Sequence, residues 1–152
     1  MKGNLIDLSP MMSRGGSWHN IPGKDSYSFI TAALQAMSDP GQPDHQFLVE
    51  SMIGREKASP TAIGGGLAFP HPLADGFGMV GEPFIAVAYP RFSVAWGAPD
   101  GIPVRAAFFV VCNDRHYHLL ALSALAKQCS RTEVRAALME EAPVSELIAL
   151  MA

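Results

Sequence analysis

The chain has 152 residues, 49% hydrophobic and only 16% charged, with a formal net charge of −3. That length suits a single domain spanning 1–152, able to bury roughly 68–70% of its unfolded surface. The composition is that of a globular protein with apolar surface to spare for a partner or for a second copy in a homo-oligomer, and the negative balance argues against nucleic acid as a partner.

The longest apolar run, "AAFFVVC" (106–112), is far short of the ~20 residues of a membrane helix. The opening "MKGNLIDLSP" has no apolar signal region, and Cys112 and Cys129 make no disulfide framework. The expectation is a cytoplasmic protein with no membrane insertion. The first 24 residues, with "RGGSWHNIPGK", read as strand and turn. From Asp25, an N-cap, Ile30, Ala33, Leu34 and Met37 follow the spacing of a half-buried helix. "SDPGQPD" (38–44) breaks it. A second helix is predicted over 45–57, where Leu48, Val49, Met52 and Ile53 share a face. Four β-type runs follow: "GLAFP", "FIAVAY", "FSVAW" and "PVRAAFFVVC", the last apolar on both faces and so a central, fully covered strand. The rest is helical: "HYHLLALSALAKQC", a capping-box start from Ser130 to Glu133, and "PVSELIALM" with Pro143 at its start. The pattern is α/β.

"IGGGLAFPHP" (63–72) is the unusual stretch. It is not a nucleotide P-loop, because Leu67 and Ala68 stand where a Lys and a Ser or Thr are needed, and Phe69 takes the place of the third dinucleotide-fingerprint glycine. Gly64, Gly65 and Gly66 read as a positive-φ turn entering a strand. Pro70 and Pro72 clamp His71. A loop histidine is commonly a surface residue, but a rigidly mounted neutral imidazole is also a nucleophile suited to in-line phosphoryl transfer.

"GREKASPTAIGGGLAFPHP", "FSVAWGAPDGIPVRAAFFVVC" and "HLLALSALAKQ" together resemble the enzyme IIA domain of the bacterial sugar phosphotransferase system, of the fructose/mannitol type that includes the nitrogen-regulatory proteins. The resemblance is strong over about 45–151 and weak before it. It implies the three-layer enzyme IIA type 2 fold, a mixed β-sheet packed between helices. It implies that His71 accepts a phosphoryl group from the phosphocarrier HPr or a nitrogen-branch counterpart and passes it to a IIB cysteine. It also assigns supporting roles to His118, at the start of the "HLxxLxxLxK" helix, and to Arg55 of the Arg-Glu pair. A helix start favours a dianionic phosphate and a neutral histidine, and an arginine fork suits phosphoryl oxygens.

The chain departs from the common Gly-Ile-Gly-Asn-Gly run, with Ala62, Ile63, Gly64, Gly65 and Gly66 in its place. Its opening resembles relatives in which this domain is joined to a DNA-binding module. A rival reading as a Cys/His metal protein uses Cys112, His116, His118 and His71. It suffers from the H-x-H spacing, which on one helix points the two rings about 200° apart, so neither metal nor cofactor is expected. His19 and His45 have no supporting pattern and read as surface residues. Phe69, Leu73 and Phe77 are candidates for an apolar docking surface around His71. A regulatory, nitrogen-type role is favoured over a sugar-specific transport component, and the partners expected are an HPr-like phosphocarrier and a IIB-like or regulatory protein.

Overall fold

A computed structural model describes residues 6–37, 45–73 and 82–152. In chain order the elements are α1 (Ser9–Gly15), β1 (Ser17–Ile21), α2 (Ser26–Met37), α3 (His45–Ala58), β2 (Ala62–Gly64), β3 (Leu67–Ala68), β4 (Phe84–Pro90), β5 (Ala106–Val111), α4 (Arg115–Cys129), α5 (Thr132–Met139) and α6 (Val144–Met151). Among the described residues the strands form one sheet in the order β1-β4-β5-β3-β2. It is mixed: β1 runs parallel to β4 and β3 to β5, while β4–β5 and β2–β3 are antiparallel.

The alternation of side chains along each strand divides the core in two. Ile85, Val87 and Tyr89 of β4, with Ala106, Phe108 and Val110 of β5, pack against α1, α4, α5 and α6. Ala86, Ala88, Ala107, Phe109 and Val111 face the other way, against Phe29, Ile30 and Leu34 of α2 and Leu48 and Met52 of α3. The expected sheet between helical layers is therefore present, and β5 is its central strand, buried at every position. Asp25 caps α2 as expected, its Oδ1 accepting from the Ser28 N–H at 2.8 Å.

Four expectations are corrected. The opening is not all strand and turn, because Ser9–Gly15 is helical with Pro10 in its first turn. Gly15 lets this short helix lie on β4: a Cβ there would stand 2.0 Å from the Ile85 carbonyl oxygen. "FSVAW" is no strand, and only Val94 bridges to Val104. The capping box does not form, since the Ser130 hydroxyl donates to the Lys127 carbonyl at 2.7 Å and Glu133 pairs with Arg131 at 3.3 Å. His45 is not a surface residue but is buried at the start of α3. The "SDPGQPD" break lies outside the described residues apart from its context in α2 and α3.

Candidate functional site

The short hairpin β2–β3 delivers the Phe69–Leu73 segment to the edge of α3 and the end of β5, and backbone hydrogen bonds fix it there. The Phe69 N–H donates to the Thr61 carbonyl at 3.1 Å, and the Val110 N–H donates to the Pro70 carbonyl at 3.0 Å. The Leu73 N–H donates to the Ser51 hydroxyl of α3 at 2.9 Å. With the two proline rings, these bonds leave the His71 backbone little freedom. The half-buried ring turns back on its own strand, with Nδ1 2.7 Å from the Phe69 carbonyl oxygen. A carbonyl only accepts, so Nδ1 carries the proton and Nε2 keeps its lone pair.

The structure brings His118 and Arg55 to the same place. The His118 ring lies with its centroid 4.9 Å from that of His71, tilted by 53°. The residue sits one turn inside α4 and is buried, and its backbone N–H is spent on the Asp114 carbonyl at 3.1 Å. The Asp114 side chain caps Tyr117 N–H at 2.8 Å, so the first turn is less open to an anion than its position in sequence suggests. Arg55 shares with His71 an open cavity of about 540 Å³, walled by Pro60, Ile63 and Leu122. One guanidinium nitrogen donates to the Ser59 carbonyl at 2.7 Å.

Burial lowers the pKa of His71 below the ordinary 6.5, and the Arg55 charge adds to this, against the opposing pull of the Phe69 carbonyl and Glu56. Burial, His71 and Arg55 together push His118 down to about 4. Both imidazoles are neutral at pH 7, the form needed for nucleophilic attack and for N–H donation.

Two carboxylates hold the hairpin. Glu56 is 4% exposed, and its carboxylate accepts from three donors at 2.7 Å: the Thr61 N–H, the Thr61 hydroxyl and the Trp96 indole N–H. At the turn, Asp100 accepts from the Gly65 N–H at 2.8 Å and from the Ile102 N–H at 3.0 Å. The Arg-Glu pair and the Asp-Gly-x-Pro-Val run are visible as sequence, but these attachments are not. Gly65 has φ +66, the left-handed region that Asn tolerates best after Gly, which accounts for Gly standing where the common run has Asn.

Among the described residues no three His, Cys, Asp or Glu side chains converge as a metal site requires. His116 is exposed while His118 is buried, and Cys112 lies in the core beneath the sheet. Phe69 is a core residue rather than a surface one: it is 6% exposed, with its ring 6.0 Å from Phe108. Leu73, at 38%, is exposed, as are Ile63 and Leu119; Phe77 lies outside the described residues.

Residues 18–152 match the family described as the phosphoenolpyruvate-dependent sugar phosphotransferase system, EIIA 2. A nitrogen regulatory protein of Pseudomonas aeruginosa is 30% identical over 148 residues, covering 95% of this chain and 93% of that protein. The fructose-specific EIIABC component of Bacillus subtilis is 31% identical over 124 residues, covering 80% of this chain but only 19% of that longer protein. The crystal structure of the nitrogen regulatory protein IIA-Ntr from Neisseria meningitidis superposes with a TM-score of 0.80 at 24% identity, covering 95% of this chain and 99% of that one. The mixed sheet, its two helical layers and the sequence match agree: the chain belongs to the enzyme IIA type 2 family of the phosphoenolpyruvate-dependent sugar phosphotransferase system.

Proposed function

We propose that this chain is a single enzyme IIA type 2 domain that carries a phosphoryl group on Nε2 of His71. The observation that carries the reading is the 2.7 Å contact between His71 Nδ1 and the Phe69 carbonyl, which leaves Nε2 as the unprotonated nitrogen of a fixed ring. In the transfer, a bond forms between Nε2 and phosphorus as the bond from phosphorus to the donor's nitrogen breaks. The Nδ1 proton stays in place, and the Phe69 carbonyl stabilises the positive charge that develops on the ring. His118, neutral and beside the ring, donates an N–H to the phosphoryl oxygens, and Arg55 supplies charge from the same cavity.

The donor is an HPr-like phosphocarrier or its nitrogen-branch counterpart, and the acceptor a IIB-like or regulatory protein in the cytoplasm. Exposed Ile63, Leu73 and Leu119 supply an apolar docking rim. A regulatory role is favoured over sugar uptake because the match to the nitrogen regulatory protein runs along 93% of that protein. Phosphorylation adds about −1.5 to −2 charges to this apolar rim, enough to change which partner it accepts.

The test is incubation with phosphorylated HPr and with its nitrogen-branch counterpart. His71→Ala should fold and take up no acid-labile label, whereas His118→Ala should still be labelled at His71, about 10²–10³ more slowly. Label retained by His71→Ala would overturn the assignment.

A further inference from the structure

A rigid nucleophile needs a fixed ring orientation, and the His71 ring takes its orientation from the hydrogen bond between Nδ1 and the Phe69 carbonyl. That carbonyl must itself be fixed. Its residue is held through its own N–H by the Thr61 carbonyl at 3.1 Å. Thr61 is in turn held twice by one side chain, through its N–H and through its hydroxyl, both at 2.7 Å from the Glu56 carboxylate. Glu56 is 4% exposed, and the Trp96 indole holds it from a segment 40 residues further on. The chain of contacts therefore runs from a buried carboxylate through two backbone units to the nitrogen that sets the tautomer of His71.

The geometry points to Glu56 as a positioning residue for the phosphoryl acceptor, acting through Thr61 and Phe69. It touches neither the ring nor a phosphoryl group. It fixes the hairpin base so that the Phe69 carbonyl meets Nδ1 and Nε2 stays free. The inference rests on the reading of His71 as acceptor.

The required property is reach rather than charge. A glutamine at this position can present its carbonyl oxygen to the Thr61 and Trp96 N–H groups, while its NH₂ donates to the Thr61 hydroxyl, which rotates to accept. An aspartate keeps the charge but is one methylene too short. Glu56→Gln and Glu56→Asp therefore separate the two explanations, and being close in size both should yield folded protein.

Two readouts are needed, both on the full chain. The first is the ¹⁵N spectrum of the His71 ring, which reports its tautomer without any phosphoryl donor. The second is the rate of phosphorylation by the small donor phosphoramidate, which needs no protein partner. The parent and Glu56→Gln should show one tautomer, protonated on Nδ1, and similar rates. Glu56→Asp should show averaging of the two ring nitrogens and a loss of about tenfold to a hundredfold in rate, the scale found when a partner that orients a metal-ligating histidine is disturbed. The inference is overturned if Glu56→Asp keeps a single tautomer and the parent rate, or if Glu56→Gln is the impaired variant. If the parent is labelled elsewhere than His71, the acceptor assignment fails, while the tautomer spectra still decide whether Glu56 orients the ring.

Discussion

The hairpin that carries His71 is fastened at both ends by carboxylates of different character. At its base Glu56 is buried and takes three hydrogen bonds from Thr61 and Trp96. At its turn Asp100 lies in solvent and takes two, from the Gly65 and Ile102 N–H groups. Bond length does not separate them, since all five fall between 2.7 and 3.0 Å. Burial does. When an exposed carboxylate is removed, water takes over its donors. When a buried one is removed, its donors are left without a partner and each costs about 1–3 kcal/mol. The base should therefore govern both stability and the ring of His71, and the turn should govern neither strongly.

The largest expected effect follows directly. Glu56→Ala should destabilise the fold by about 3 kcal/mol or more in chemical denaturation, because the Thr61 and Trp96 donors lose their acceptor. A loss below about 1 kcal/mol, within the range of an ordinary surface substitution, would mean that the two ends do not differ.

Acid should separate the ends next. Burial holds both His71 and His118 below 6.5 in the folded state, His118 to about 4. As pH falls the unfolded chain binds protons first, so the stability contributed by the neutral imidazoles is complete above about 6.5 and falls below it, the His118 part being lost on the way down to about 4. Asp100 behaves differently: the Gly65 and Ile102 N–H groups hold its carboxyl below the ordinary 3.8. Its contribution is intact above 3.8 and fails only as pH drops through the folded value. Amide shifts should therefore move at Phe69 as pH falls below 6.5, before Gly65 moves, and the reverse order would contradict the electrostatics.

Within the turn, two adjacent glycines should respond unequally. Gly64 has φ +102, and a Cβ there would meet the Asp100 Oδ2 at 3.0 Å. Gly64→Ala should cost about 1–3 kcal/mol in backbone strain. Gly65→Asn should cost less than about 1 kcal/mol, since φ +66 suits Asn and the Arg135 guanidinium, 3.2 Å from a Cβ, is a mobile neighbour. Equal losses in the two variants would mean that the φ values do not set the turn's tolerance. The smallest effect belongs to Asp100→Asn, which should leave the thermal midpoint at pH 7 and the labelling rate nearly unchanged; a large fall in either would make the turn as important as the base.

How much of this could be read from the residues depended on the range of the interaction. The α2 and α3 helices were legible because their apolar residues recur three and four apart on one face, and β5 because six successive residues are apolar. The mount of His71 was legible because proline constrains its neighbours locally. Helix α1 was not, since seven residues show too little period and its place depends on Gly15 lying against Ile85. Ser130 and Glu133 matched the local pattern of a cap, yet the end of α4 claimed the hydroxyl. Glu56 was visible as half of the Arg-Glu pair, but its work depends on Trp96, and no local pattern reports a contact made across 40 residues.

The most direct test of the central claim is a nitrogen-resolved one. After reaction with phosphorylated HPr or its nitrogen-branch counterpart, ³¹P and ¹⁵N spectra of the protein should show phosphorus bonded to Nε2 of His71, with the proton retained on Nδ1 against the Phe69 carbonyl. Phosphorus on Nδ1 would require that 2.7 Å contact to break, and phosphorus on His118 would reverse the roles of the two rings. Either result would contradict the account.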